Sequence, residues 1–319
     1  MQNIPIFRSD NYSSGATSNR RVDANEMMFF TNELTNYDPK DYEVLKAPLT
    51  SFNVFHERSI PKHATIYQYN MFESMGKAKY AAVKSGKADD APFINAGGNQ
   101  FASPVADLLC AIAFSDGDIL AGQAVQRDVI GMLLRQAMRA NMELMNTTCF
   151  SGNDKLGLHG ILSNKNIVKI TAASDLALAA TGGDVLLKEL SRIYSSTIAA
   201  SKGLILPDTM LVSPAIFTNL NLTIGNSFSG VNVRSIFESM MNVKVISAPE
   251  LANGVYGNTK EMAILFKNSP EFIEHVVAEL FAVKPPQQQA LEYISYCYSR
   301  HGGIVIRQPK AVCLITNLS

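Results

Sequence analysis

The sequence is short of charge. Asp, Glu, Lys and Arg make up 18 percent of its 319 residues, below the quarter usual in globular proteins. A chain of this length with so little charge is expected to have much of its surface covered by partners. Neither sign is in excess, because 28 basic residues balance 28 acidic ones. That balance argues against a dedicated nucleic-acid binder, which carries a basic surplus. It also leaves little repulsion to hold copies apart. Cysteine is scarce and unpaired in pattern. Cys110, Cys149, Cys297 and Cys313 form no CxxC and lie in apolar stretches, which reads as buried free thiols in a reducing compartment. Long hydrophobic runs are missing too. The longest clean one, Leu108 to Phe114, is too short to cross a bilayer. The first residues, Met1 to Pro5, have neither the basic nor the apolar region of a secretory leader. The expectation is a soluble chain made in a cytoplasm, with no membrane partner. No internal repeat, heptad pattern or low-complexity tract is visible.

What is present is a hydrophobic fraction of 47 percent, enough for a sizeable core in two domains or one elaborated domain. Residues 1 to about 50 are polar and weakly patterned, and read as an arm that a neighbouring subunit would have to hold. From Thr65 the spacing alternates: Tyr67, Tyr69 and Met71 fall on one strand face, Gln68 and Asn70 on the other. A Gly, Lys, Ala and Asp-rich tip follows, and then "FASPVADLLCAIAF" extends again. Residues about 65–114 therefore read as a two-stranded excursion, which needs another surface to lie on.

Ser115 and Asp118 have capping-box spacing, with Asp for the usual Glu or Gln. The proline-free, Ala, Leu and Met-rich segment after them predicts a long helix to about Asn146. Asp128, Arg135, Arg139 and Glu143 share its polar face, and Met132, Met138, Met142 and Met145 are expected in the core. From about Gly182 helix and strand patterns alternate. Leu186, Leu190, Ile193, Tyr194 and Thr197 have helical spacing, Asp184 is a fair N-cap, Ser213 caps a helix that starts at Pro214, and "VKVIS" and "MAILF" read as buried strands. The C-terminus is strand-rich, with "HGG" as a turn and Pro309 at an edge or bulge.

The candidate chemistry is thin. "NTTCFSGNDKLGLHGIL", Asn146 to Leu162, has Gly152 and Gly157 at the spacing of half a phosphate loop, but Leu158 and His159 replace the Lys and Ser/Thr. The loop also follows a helix where a phosphate loop follows a strand. Cys149 and His159 could form a thiol–imidazole pair, yet no third orienting group is evident. The alternative is a structural joint. A long helix must end with its last carbonyls satisfied, and Gly152, Gly157 and Gly160 give the backbone freedom for that. His56, His63, His275 and His301 show no metal-ligand spacing. No metal site, cofactor or catalytic residue is expected. Lys77, Lys79, Lys84, Lys87, Asp89 and Asp90 form a charged tip, either a solvated face or an intersubunit contact.

Several stretches occur in a telling order: "GKAKYAAVKSGKADDAPFINAGG", "FSGNDKLGLHGILSN", "MLVSPAIFTNL" with "VKVISAPEL", and "RHGGIVIRQPKAV". Together, over residues about 50–316, they resemble the major capsid proteins of tailed bacteriophages with the Hong Kong 97 fold. The resemblance implies an α+β fold with an N-terminal arm (1–50), an extended E-loop with leading strands (51–114), a peripheral domain with the spine helix and following loop (115–179), an α/β axial domain (180–265) and closing peripheral strands (266–319). It implies self-assembly through pentamers and hexamers into an icosahedral head around double-stranded DNA, with the DNA touched non-specifically. Scaffold, portal and decoration proteins are the further partners. The site is then the virion, assembled in the host cytoplasm. Two departures matter. The arm is short and retains Met1, so cleavage of a long scaffolding segment is not expected. Tip lysines are present, but nothing singles out an asparagine for a covalent cross-link. The alternatives are a nanocompartment shell of the same fold, a ring- or tube-forming tail protein, and a cytosolic thiol hydrolase using Cys149.

Overall fold

The computed structural model describes residues 44–75, 95–178, 181–223 and 230–317. The chain divides into a unit of residues 1–46 and a unit of residues 47–319. In the first, residues 44–46 are described, and they are exposed chain without regular structure. Residues 47–50 of the expected arm (1–50) fall in the second unit, where Thr50 starts a helix; residues 1–43 and the charged tip lie outside the described residues.

The second unit runs, in chain order, α1 (Thr50–Val54), β1 (Glu57–Ser59), β2 (Ile66–Met75), β3 (Asn95–Pro104), β4 (Ala106–Ser115), α2 (Asp116–Ala124), α3 (Val129–Ser151), β5 (Val168–Thr171), α4 (Gly183–Ala200), β6 (Thr209–Val212), α5 (Pro214–Leu222), α6 (Val233–Met241), β7 (Lys244–Ser247), β8 (Met262–Phe266), β9 (Ile273–Val283), β10 (Gln287–Gln289), β11 (Glu292–Ile306) and β12 (Val312–Thr316). These strands form three sheets. The first has the order β1-β9-β11-β10, with β4 also paired to β11. The second is mixed and runs β5-β12-β8-β6-β7. The third is the antiparallel ribbon β2–β3, with Ile66 opposite Pro104 and Met75 opposite Asn95.

The ribbon is shorter than its sequence pattern suggests. The segment "FASPVADLLCAIAF" breaks at Pro104 and Val105. Its first part pairs with β2, and its second part is β4, which lies antiparallel on β11 from Ala106–His301 to Ser115–Glu292. Proline has no N–H to donate, so it suits the place where the ladder changes partner. Val105 instead closes the ribbon root by donating to the Thr65 carbonyl at 2.9 Å.

The expected single helix is two. The Ser115–Asp118 capping box forms, with both reciprocal bonds present, and starts α2. The chain then turns through Gln126 at φ 58°, and Asp128 begins α3 by accepting from the Gly131 N–H at 2.9 Å. Asp128 is therefore a cap and not part of the polar face, while Arg139 and Glu143 do pair on that face at 2.7 Å. Helix α3 continues to Ser151, past the expected end. Ala137, Asn141 and Met145 are buried at helical spacing. The α3 stripe that includes Ala137 lies over Ile112 and Phe114 of β4 and Cys297 of β11. Met145 is fully buried, but Met138 is 42 percent exposed, so the expectation of a core role fails for Met138.

In the second sheet, α4, α5 and α6 contribute to one core. Leu186, Leu190 and Ile193 of α4, Ile216 and Leu220 of α5, and Val233 and Phe237 of α6 meet Met210, Val212, Val245, Ala263 and Leu265 of the strands. Each fully buried Leu or Ile contributes about 1.5–3 kcal/mol by the area it removes from water. Helix α4 starts at Gly183 with Gly182 at the cap, so Asp184 lies in the first turn and is not the cap. Ser213 does cap α5, with Pro214 at the first helical position. The opposite face of the sheet meets α1 and the end of α3 through Phe55, Phe150, Leu211, Ile264 and Phe266. The final strand, β12, sits inside this α/β sheet, between β5 and β8. The closing segment thus returns to the α/β half, although its sequence reads as one more strand of the closing group.

"HGG" is not a turn. Strand β11 runs straight through His301, Gly302 and Gly303, and absorbs them as register shifts against β9. Gly303, at φ 70°, supplies the backbone freedom such a bulge requires.

Candidate assembly surfaces and the knot beneath them

The spine helix α3 ends in a buried place, so its last carbonyls need partners. Ile161 N–H donates to the Cys149 carbonyl at 3.0 Å, and Leu162 N–H donates to the Phe150 carbonyl at 2.9 Å. Between them the chain makes a tight excursion in which Asn153 and Leu158 exchange backbone bonds at 2.8 and 3.0 Å. Gly152 (φ 77°) and Gly157 (φ 70°) take positive angles. A side chain on Gly160 would place its Cβ 2.2 Å from the Gly152 nitrogen, and one on Gly152 would come 2.6 Å from the Gly160 nitrogen. The two glycines are therefore in backbone contact, while Gly157 has open space with nothing nearer than 3.6 Å. No lysine reaches this loop at the position a phosphate loop needs, and the loop leaves a helix.

Cys149 is not paired with His159, which is exposed. The thiol points into the core and meets His275 of β9 and His301 of β11. All three are buried, and their ligand atoms lie within 4.8 Å of one another. His275 Nε2 and His301 Nδ1 are 3.4 Å apart. Burial pushes the Cys149 thiol well above its usual range. Burial, with the neighbouring His301, lowers His275 to about 3, and burial lowers His301 to about 4. A sealed thiol held protonated is no nucleophile at neutral pH. These three residues are far apart in sequence, and no spacing rule could have grouped them.

A second polar knot ties the start of the second unit to the spine. The Glu250 carboxylate, 4 percent exposed, accepts from Thr50 N–H at 3.1 Å, Thr50 Oγ1 at 2.7 Å and Asn146 Nδ2 at 2.7 Å. Asn146 Oδ1 in turn accepts from Ser51 N–H at 2.9 Å. The orphan N–H groups at the start of α1 are thereby satisfied by side chains of α3 and of the 3₁₀ turn Pro249–Leu251.

The ribbon root is held by Arg307. Its guanidinium donates to Tyr67 Oη at 2.8 Å, pairs with Glu274 and sits over the Tyr69 ring, 5.7 Å from its centroid. Tyr69 stacks on Phe101 at 5.3 Å across the ribbon. Ser103 Oγ donates to the Gly302 carbonyl at 3.1 Å, which joins the ribbon to β11. Tyr67, Tyr69 and Met71 are half-buried while Gln68 and Asn70 are exposed, as the alternation indicates.

Other faces stay largely open among the described residues. Phe72 and Ile66 on the ribbon are 79 and 54 percent exposed, and Leu109 of β4 is 75 percent exposed. Strand β4 alternates, with Leu108, Ile112 and Phe114 buried while Leu109, Ala111 and Ala113 face outward. Tyr296, opposite Ala111 on β11, is also exposed. One face of the large sheet is thus partly bare. Lys77, Lys79, Lys84, Lys87, Asp89 and Asp90 lie outside the described residues. No helix among the described residues is long and apolar enough to cross a membrane.

A spine helix on a sheet, a projecting ribbon and an attached α/β half define a class: a shell subunit of the Hong Kong 97 type, with an α+β fold. The chain belongs to the major capsid protein family, whose model, described as "Major capsid protein", matches residues 76–318. Among solved structures it is similar to the capsid of the Myoviridae phage XM1, at 13% identity and a TM-score of 0.80, over 92% of this chain and 100% of that one. It is similar to a structure of Mycobacterium phage Cain, at 11% identity and a TM-score of 0.64, over 89% and 95% of the two chains. The virus-like particle of Pyrococcus furiosus gives 15% identity and a TM-score of 0.52 over 83% and 91%. At such identities the common property is the fold. No curated protein matches the chain in sequence.

Two substitutions separate backbone contact from backbone angle in the joint. Gly157→Ala, with space but a positive φ, is expected to cost about 1 kcal/mol. Gly160→Ala, which forces one backbone into another, is expected to cost more than about 3 kcal/mol. Urea unfolding of the subunit measures both, and equal effects would contradict the contact. Asn146→Ala leaves the Ser51 N–H without its acceptor and Glu250 Oε1 with Thr50 N–H alone, at an expected cost of about 2 kcal/mol. Unfolding within about 0.5 kcal/mol of wild type would show that the knot is not holding α1.

Proposed function

We propose that the chain builds the icosahedral head of a tailed phage, through pentamers and hexamers, and encloses double-stranded DNA. The observation that carries this reading is the match of the major capsid protein model to most of the chain. The uncovered apolar side chains support it, because Phe72, Leu109 and Tyr296 are the kind of surface that another copy buries. A specific interface removes on the order of 1,200–2,000 Å² from water, and a shell subunit makes several. Weak contacts then suffice, since each is reinforced by the rest.

In this reading the ribbon reaches a neighbour with its tip, and Lys77, Lys79, Lys84, Lys87, Asp89 and Asp90 make intersubunit contacts there. The glycine joint at Gly152, Gly157 and Gly160 fixes the angle between the spine helix and the chain that follows. The genome meets the inner face through salt-sensitive, sequence-independent contacts. A scaffold, a portal and decoration proteins complete the particle, and assembly takes place in the host cytoplasm. The protein works by contact and not by catalysis. A thiol hydrolase reading has no support in the site, because Cys149 is sealed and protonated.

Removal of residues 76–94 with a short glycine link tests the ribbon. The shortened subunit is expected to keep its circular-dichroism spectrum and melting behaviour while forming no closed particles in electron micrographs. Normal particles from that variant would refute the role given to the ribbon. Nucleic acid within wild-type particles separates a phage head from a cargo compartment.

A further inference from the structure

The cluster of Cys149, His275 and His301 has no task in shell building, and its geometry points to another use. We propose that it is a buried binding site for a thiophilic d10 metal ion, zinc or cuprous copper, which fastens the end of the spine helix α3 to strands β9 and β11.

The donor set is the first argument. One sulfur and two imidazole nitrogens from three separate elements converge within 4.8 Å, and thiolate with imidazole is the donor class of zinc and cuprous copper. The spacing is the second. Metal–ligand bonds of about 2.0–2.3 Å set neighbouring donors roughly 3.3–3.6 Å apart in a tetrahedral site, and the two histidine nitrogens stand at 3.4 Å. That separation is at the long end for an N–H···N hydrogen bond and matches the spacing of two nitrogens bound to one ion.

A fourth group stands by. Ser51 is fully buried, its hydroxyl has no hydrogen-bond partner of ordinary geometry, and it lies within reach of the Cys149 thiol. It can complete a zinc tetrahedron or donate to the thiolate of a three-coordinate copper. Phe52, edge-on to the His275 ring at 5.6 Å, helps seal the site. Binding replaces a proton. The Cys149 S–H bond breaks, the proton leaves to solvent, and the sulfur lone pair forms the bond to the ion, with no change of oxidation state. One thiolate neutralises a monovalent ion completely and leaves a zinc site at +1. In a dry pocket this charge balance favours copper. A site this closed is filled during folding.

The test uses the full chain, expressed in medium supplemented with zinc, cuprous-compatible copper or cobalt, purified under reducing conditions and dialysed against a chelator. Mass spectrometry of metals is expected to give about one ion per subunit, and which metal is retained decides between the two. The cobalt-grown protein is expected to show thiolate-to-cobalt charge transfer. Cys149→Ser and His301→Asn are expected to lower the metal content about tenfold or more, whereas Cys110→Ser leaves it unchanged. Should a buried variant fail to fold, the wild-type protein still decides. Wild-type protein with less than about a tenth of an ion per subunit from every medium, or Cys149→Ser protein with undiminished metal, would overturn the proposal.

Discussion

A two-stranded ribbon and a sheet with one bare face cannot finish burying their apolar side chains within a single copy. That constraint organises the molecule. Strand β4 buries Leu108, Ile112 and Phe114 under the spine helix and turns Leu109 to solvent. The ribbon presents Phe72 and Ile66 largely to solvent. The α/β sheet, by contrast, is covered on both faces, and its inner strands β6, β8 and β12 are almost wholly buried. The chain therefore has a finished half and an unfinished half, and the unfinished half carries the ribbon.

An unfinished surface is useful only if its geometry is fixed, and two buried knots fix it. At the end of α3 the carbonyls of Cys149 and Phe150 are bound by Ile161 and Leu162, which is possible because Gly152 and Gly160 touch backbone to backbone. At the start of the second unit, Glu250 and Asn146 together bind the first N–H groups of α1. The first knot is closed by one loop, residues 149–162, whereas the second joins elements remote in sequence, Thr50 and Ser51 with Asn146 and Glu250. Arg307 does the same for the ribbon by holding Tyr67, Tyr69 and Glu274 at once.

Local signals in the sequence proved readable. The Ser115–Asp118 box, Ser213 before Pro214, the alternation of Tyr67, Tyr69 and Met71, and the stripe Leu186, Leu190 and Ile193 each depend on neighbours a few residues away, and each forms as its spacing indicates. The Hong Kong 97-type fold and the capsid family were also legible, from the order of several stretches. What was hidden depends on distant partners or on single backbone angles. The helix break needs Gln126 in a left-handed conformation, which its helix-forming neighbours disguise. "HGG" resembles a turn and becomes a strand because β9 pairs across it. Glu250 with Asn146, and Cys149 with His275 and His301, meet only after folding, so no motif announces them.

The central claim is that copies of this chain complete one another's apolar surface, and the mass of the purified intact protein tests it most directly. Analytical ultracentrifugation across a range of concentration and salt, with electron microscopy of the same samples, reads both size and closure. The account predicts closed particles of many subunits, in equilibrium with capsomers or formed once a scaffold is supplied. A monodisperse monomer under every condition, scaffold included, would contradict it.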